Sequence, residues 1–434
     1  MRFYDRENEL AVLKENKERS KEAGVFTVIT GRRRIGKTAL IKESEKNDRF
    51  LYFFADRSSE ALLCEQLASD AERDLGIELT DSGRFRDLFR ELMEYGKNNE
   101  FTFVIDEFQE LEKANKAIIS GIQNLWDTNR PSSKVNLIVC GSVHSMMVRI
   151  FERGKEPLFG RATFKFKLRP FRPSVIRTIL SEHNAKYEPD DLLLLYMVTG
   201  GIPKYIEALM DAKATTFEKI LNAVCSPGSL FLTEGKDLLI SEFGRNYGTY
   251  FSILGLISRG MVKEPEISTV IGKECGPYLE KLENEYDLVK KNRPLTSGGN
   301  SRDVRWKMTD NYLRFYFRYL SKNQSLIERE EYGLLKKIIK EDYTQYSGHV
   351  LEDYFKEKMS EDEEFTDIGS YWDRKGDNEI DIVALNDLDK KAVFAEVKRN
   401  PDKADIDGLR KKAGTVSGLK GYETEYRVLS LKDM

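Results

Sequence analysis

Cysteine and histidine are scarce in this chain of 434 residues. The four cysteines, Cys64, Cys140, Cys225 and Cys275, lie far apart and form no Cys-x-x-Cys pair. That excludes a disulfide framework and a zinc-ribbon site, and the thiols read as reduced. Three histidines, His144, His183 and His349, exclude a histidine-rich metal centre. Net charge is also small. The 70 Lys and Arg against 73 Asp and Glu leave −3, so no global basic field marks a nucleic-acid partner, and any such partner must be met by a local patch. No apolar run is long enough to span a bilayer. The opening Met1-Arg2-Phe3-Tyr4-Asp5-Arg6 lacks the apolar segment of a signal peptide. The expectation is a cytoplasmic protein with no membrane partner.

Apolar residues, at 40%, suffice for real cores beneath a surface fed by 33% charged residues. The length argues for two to four domains. The strongest motif is Gly31-Arg32-Arg33-Arg34-Ile35-Gly36-Lys37-Thr38, which fits G-x-x-x-x-G-K-[ST]. It follows the apolar run Val25–Thr30 and opens the helix-like segment from Ala39, which is the strand–loop–helix context the motif requires. The glycines permit backbone geometry in which successive N–H groups face phosphate oxygens. A helix N-terminus adds positive potential there. Lys37 would reach the β- and γ-phosphates, and the Thr38 hydroxyl would ligate Mg²⁺. The loop is built to bind a nucleoside triphosphate, with ATP and Mg²⁺ as the expected cofactors.

Further along, Phe101–Ile105 leads into Asp106 and Glu107 at the carboxyl end of a strand, where open α/β sheets bind ligands. Asp106 would hold Mg²⁺ through water, and Glu107 would orient and activate the attacking water. Val135–Cys140 ends in Gly141-Ser142. Ser142 is placed either to sense the γ-phosphate or to cap the next helix. Arg161, before the alternating strand Thr163–Leu168, is either a transition-state arginine, acting in its own or a neighbouring subunit, or a surface arginine.

In order, Phe3-Tyr4-Asp5-Arg6-Glu7-Asn8-Glu9-Leu10, the phosphate loop, the Ile-Asp-Glu strand, the Cys-Gly-Ser strand end and Gly200-Gly201-Ile202-Pro203-Lys204-Tyr205 form a set. It resembles AAA+ ATPases related to origin-recognition and STAND proteins. It is similar to the prokaryotic, mostly archaeal, ATPase family whose members carry an added carboxy-terminal nuclease-like domain. The resemblance implies a P-loop AAA+-type parallel-sheet core over residues 1–170 and a helical lid over 171–235. It also implies Pro203 near the nucleotide base, with Lys204 toward the phosphates.

Residues 236–320 resemble a winged helix, with helical segments at Tyr250–Ser258, Ile267–Gly272 and Tyr278–Leu282. Two strand-like pieces follow around the turn Ser297-Gly298-Gly299-Asn300. Lys290, Lys291, Arg293, Arg302 and Arg305 could touch DNA phosphates from the wing. Glu280, Glu283 and Glu285 on the third helix would repel them, which leaves protein contact as the alternative.

In residues 335–434, Asp381, Glu396 and Lys398 match the D…E-x-K pattern. Alternation puts Glu396 and Lys398 on one face of a strand. The two carboxylates could hold Mg²⁺, and the lysine could steady charge on a phosphate. The domain resembles the PD-(D/E)xK, restriction-endonuclease-like α/β fold, and Glu352 matches the helical acid often seen there. The expected function is an ATP-hydrolysing switch acting on DNA. The alternatives are a metal-dependent nuclease regulated by ATP, or an ATP-binding protein-interaction scaffold that cuts nothing. A protein partner and a homo-oligomer both fit.

Overall fold

The computed structural model describes residues 2–244, 247–296, 303–362, 364–373 and 377–434. It divides into two compact units, Tyr4–Arg169 and Pro170–Met434, the latter with the residues preceding Tyr4.

The first unit is a five-stranded parallel sheet. Its strands are β1 (Val25–Thr30), β2 (Phe50–Phe54), β3 (Phe101–Asp106), β4 (Val135–Gly141) and β5 (Phe164–Lys167), in the order β2-β3-β4-β1-β5. β3 and β4 are buried along their whole length, and β1 along all but its last residue. That is why their sequences are near-continuous apolar runs, interrupted inside only by Thr27, Thr102 and Asn136: helices cover both faces of a parallel sheet. Phe26 meets Trp126 and Phe151 edge-on, with ring centres 5.3 and 5.8 Å apart. The strand order has one decisive effect. β3, β4 and β1 are neighbours, with Ile105 beside Val139 and Thr30 beside Gly141. Their three carboxyl ends therefore converge.

The second unit begins with helices Pro173–His183, Pro189–Thr199, Pro203–Asp211, Phe217–Val224 and Leu230–Phe243. Every residue from Asp191 to Thr199 is buried, so this helix is apolar all round. Helices Tyr247–Ser258, Glu264–Ile271 and Gly276–Asn284 follow, then the antiparallel pair β6 (Val289–Asn292) and β7 (Arg305–Met308). The Ser297–Asn300 turn and Arg302 lie outside the described residues. The aromatic segment after Asp310 is a helix, Asn311–Phe315, that widens into a π-helix over Tyr316–Leu320.

The last sheet has order β11-β10-β9-β8, with β8 (Asp367–Trp372), β9 (Glu379–Asn386), β10 (Lys391–Val397) and β11 (Glu423–Leu429). β10 runs antiparallel to β9 and parallel to β11. Against it pack helix Ile406–Ala413 and the long helix Tyr332–Glu361. His349–Phe355 therefore lies inside a helix that starts 17 residues earlier, at Tyr332, rather than at a helix start. β8 is absent from the sequence reading because Gly369 and Ser370 interrupt its apolar alternation, and the ladder to β9 is irregular between Gly369 and Tyr371.

Candidate nucleotide site and a second acidic cluster

The phosphate loop is the turn between β1 and helix Lys37–Ser44. Gly31, Arg34 and Gly36 all have positive φ, at 148°, 69° and 94°. A Cβ on Gly31 would lie 2.8 Å from the Leu168 carbonyl oxygen, so side chains are excluded there. Ile35 is fully buried and anchors the turn, while Arg33 and Ala39 are exposed. Lys37 is buried. Its Nζ donates to the carbonyls of Gly31 at 2.8 Å and Arg32 at 3.1 Å, so the ammonium lies across the loop.

Asp106 is 3% exposed, and four donors converge on its carboxylate. Oδ2 accepts the Thr38 hydroxyl at 2.7 Å and the Tyr52 hydroxyl at 2.8 Å. Oδ1 accepts the Glu107 amide and the Cys140 thiol, both at 2.9 Å. Burial, then the Asp106 charge, push the Tyr52 phenol and the Cys140 thiol well above their usual ranges, so both stay protonated donors. Glu107 has φ 53°, a left-handed conformation costly for a non-glycine residue. It is held by the next amide, as Phe108 N–H donates to Cys140 O at 2.9 Å. Its Oε2 accepts the Ser142 hydroxyl at 2.7 Å and the Gln109 amide. Gly141 allows this approach, because a Cβ there would strike Gln109 and Met147.

Thr38, Asp106, Glu107 and Ser142 are thus gathered beside Lys37. Tyr52, Gln109 and Cys140 join them as donors with no role read from the sequence: Tyr52 and Cys140 reach Asp106 from other strands, and Gln109 reaches Glu107 from two residues on. Ser142 binds Glu107 and is no helix cap: the cap position of helix His144–Glu152 is Val143.

Arg161 is elsewhere. It precedes β5, whose first residue pairs with Thr27, and Thr163 N–H donates to Phe26 O. The loop follows Thr30, four residues on, or about 13 Å at ~3.3 Å per residue. Arg161 instead pairs with Asp127 at 3.2 Å and donates to Phe159 O at 2.9 Å. Of the three readings left open for Arg161, this placement sits with the surface pair or with a role toward a neighbouring subunit rather than its own nucleotide. Pro203 opens helix Pro203–Asp211 in the second unit, after Gly200 and Gly201 with φ 55° and 75°. Lys204 pairs with Glu207 at 2.7 Å.

The second cluster lies where β9 and β10 run side by side. The register pairing Ala395 with Ile382 sets Glu396 against Asp381. Lys398 Nζ lies 3.1 Å from Glu396 and 3.5 Å from Asp381. Val397 N–H donates to Asp381 at 2.8 Å. These three side chains and Lys412 line a small cleft. Burial, then the Glu352 charge, raise the Asp381 carboxyl above its ordinary range. Burial opposes the Lys398 ammonium, but Asp381 and Glu396 outweigh it and raise its pKa. Glu352 itself is engaged by His349 at 3.3 Å and Lys356 at 3.7 Å. Among the described residues, no three or more Asp, Glu, His or Cys side chains gather to hold a metal ion. Of the acids read from the sequence, Asp381 and Glu396 share the cleft, and Glu352 bears on Asp381 through its charge. Lys398 stands between the first two acids, and the third is tied to its own helix.

Two of the basic residues on the β6–β7 pair are spent inside the second unit. Lys291 pairs with Glu283 at 3.3 Å, and Arg305 pairs with Glu379 at 2.7 Å and stacks 4.3 Å from the Trp372 ring centre. Lys290 and Arg293 are exposed. The frame around the second cluster is also charged. Asp353 is buried between Lys307 and Arg314. Arg399 holds Asp190 through Nη2, at 2.8 and 2.9 Å from its two oxygens, and Ser347 through Nη1 at 2.7 Å.

A parallel sheet in this order, with a glycine-framed loop after β1 and an acid pair after β3, defines a P-loop ATPase. Residues 3–209 match the family described as an ATPase domain predominantly from Archaea. Residues 316–408 match one described as archaeal and bacterial proteins of unknown function. The uncharacterized protein MJECL04 of Methanocaldococcus jannaschii is 32% identical over 99% of this chain and 96% of its own, and the chain belongs to the same family of archaeal-type ATPases. A second protein of that organism, the uncharacterized MJ0424, is 41% identical over 13% of this chain and 54% of its own. Among solved structures, the Walker-type ATPase PABY2304 of Pyrococcus abyssi shares the fold, with a TM-score of 0.55 at 18% identity, over 73% of this chain and 96% of that one. Among the described residues no helix is long and apolar enough to cross a membrane.

Proposed function

We propose that this ATPase is a magnesium-dependent, ATP-driven switch. The observation that carries the reading is the joint placement of Thr38 on Asp106 and Ser142 on Glu107 beside the phosphate loop. Thr38 donates its proton to Asp106 and keeps its lone pairs, and this all-oxygen donor set suits Mg²⁺. Bound there with the nucleotide, Mg²⁺ would neutralise charge on the phosphate oxygens. The loop amides and Lys37 bind the phosphates. Glu107, held by Ser142 and Gln109, orients the attacking water and takes its proton. The difference in ATP affinity between the two states of the switch sets how far it moves. Arg161 is left with a role only toward another subunit of a homo-oligomer. We assign residues 171–235 as lid, with Pro203 at the base, 236–320 as winged helix and 335–434 as nuclease-like domain.

The second reading, action on DNA, is favoured by the cleft that holds Asp381, Glu396, Lys398 and Lys412 together. Two carboxylates beside two cations suit metal-assisted phosphodiester hydrolysis. Lys290 and Arg293 offer phosphate contacts on the wing. Lys37→Ala should weaken nucleotide binding about 10- to 100-fold, from the loss of charged hydrogen bonds worth ~1.5–3 kcal/mol, and abolish turnover. Titration with a fluorescent ATP analogue measures this. Unchanged binding overturns the first reading. Turnover measured with and without DNA at two salt concentrations tests the second: a stimulation that fades with salt marks direct phosphate contacts.

A further inference from the structure

We infer that Tyr52 is a positioning residue for the cation site of the ATPase reaction, an inference that rests on the assignment of Thr38 and Asp106 to magnesium. Tyr52 lies on β2, opposite Val104 of β3, two residues before the strand position beside Asp106. Its phenol reaches along the sheet, and the hydroxyl donates to Asp106 Oδ2 at 2.8 Å, the same oxygen that accepts Thr38. The ring is fixed on several sides. The Tyr52 amide donates to Asp74 at 3.1 Å, Phe50 meets the ring edge-on at 6.4 Å, and the Lys42 ammonium lies 5.3 Å from the ring centre.

The carboxylate torsion of an aspartate is soft and broad. On Oδ1, Asp106 has one amide and one thiol, and a thiol is a weak donor. On Oδ2 it has Thr38 and Tyr52. Thr38 is itself the proposed cation ligand, so Tyr52 is the strong donor on Oδ2 that, with the Glu107 amide on Oδ1, fixes the carboxylate plane without touching ion or nucleotide. Outer partners of this kind orient the ligating groups, and their loss typically costs about 10- to 100-fold in metal affinity. The tyrosine also links the strand neighbouring β3 to the cation, which no contiguous motif in the chain does.

The test is Tyr52→Phe in the full chain. Nucleotide affinity is measured in EDTA with a fluorescent ATP analogue, and Mn²⁺ affinity of the nucleotide-loaded protein by paramagnetic resonance. The expected result is a Mn²⁺ dissociation constant raised about 10-fold, with nucleotide affinity in EDTA within about twofold of the parent. A merely structural tyrosine would move both or neither. Thr38→Ala is the reference. If it loses Mn²⁺ while Tyr52→Phe binds the ion like the parent, the positioning role is overturned and the site stands. If Thr38→Ala also binds Mn²⁺ like the parent, the site assignment itself fails and the inference falls with it.

Discussion

Asp106 and Asp381 are the same residue placed on two different sheets, and they are held in different ways. Asp106 closes a strand buried on both faces, and donors from helix Lys37–Ser44, β2, β4 and its own turn fill its lone pairs. Asp381 has one backbone amide and the Lys398 ammonium, in a cleft where burial and Glu352 oppose its charge. The first site is set by neutral dipoles fixed to a parallel sheet. The second is set by charge against charge. Buried hydroxyl, thiol and amide dipoles hold a carboxylate in one geometry, whereas an ammonium on a flexible stem holds it by charge. That contrast is why the first site reads as assembled and the second as a charge-balanced cleft.

The sharpest way to break this comparison is to remove the proposed base. Glu107→Gln should lower turnover by about 10²- to 10⁴-fold, the usual contribution of a general base, while nucleotide binding is kept. Asp381→Asn should leave turnover within about twofold. Steady-state phosphate release checks both, and loss of ATP turnover in the second variant would show that the two acids belong to one machine.

The next effect concerns the charged frame. Asp353→Asn strips a buried partner from Lys307 and Arg314 and should cost about 3–5 kcal/mol of stability at neutral pH, measured by denaturant unfolding. Burial works to raise the Asp353 pKa, but Lys307, Arg314 and Lys356 overcome this and hold the carboxyl far below its ordinary range. In the parent, that stabilisation is complete above the unfolded-state pKa near about 4. Below it the unfolded chain takes up a proton that the folded chain refuses, so the gap between parent and variant narrows as pH falls. A gap independent of pH between 2 and 7 would contradict the assignment. The smallest effect sharpens the contrast from the other side. Arg161→Ala removes a half-exposed pair with Asp127 and should cost no more than about 1 kcal/mol, with nucleotide affinity unchanged.

Legibility in the sequence followed contiguity. Residues 31–38, Asp106 and Glu107 were readable because loop and strand end each carry their chemistry in a run of neighbours. β1 to β4 were readable as largely apolar runs and β5 as an alternating one, since strands buried on both faces and strands half exposed each leave their own pattern. Ser142 was found but left undecided between two roles, since only the sheet order brings β4 beside β3. Tyr52 and Gln109 carried no signal, because a tyrosine in an aromatic strand and a glutamine in a helix look like ordinary packing. Arg161 was left open among three readings because distance along the chain does not tell which end of a parallel sheet a loop occupies. Helix Tyr332–Glu361 was caught only in its middle. Its first half buries Leu335, Ile339, Tyr343 and Tyr346 on one face, but farther on Leu351, Phe355 and Met359 carry the burial round to the other side and break that rhythm.

The four donors on Asp106 bear on the polarity of the whole hydrogen-bond circuit. Replacing one carboxylate oxygen by an amide NH₂, as in Asp106→Asn, changes almost no volume. The Glu107 N–H cannot reverse, so the amide oxygen must stay on that side, and the NH₂ would then face two hydroxyls that now donate. Thr38 and Tyr52 would each have to turn round and accept. A threonine that accepts from a neighbour has given away a lone pair it would otherwise offer to a metal ion. At this position the near-isosteric exchange is the disruptive one, because it inverts the direction in which protons are offered.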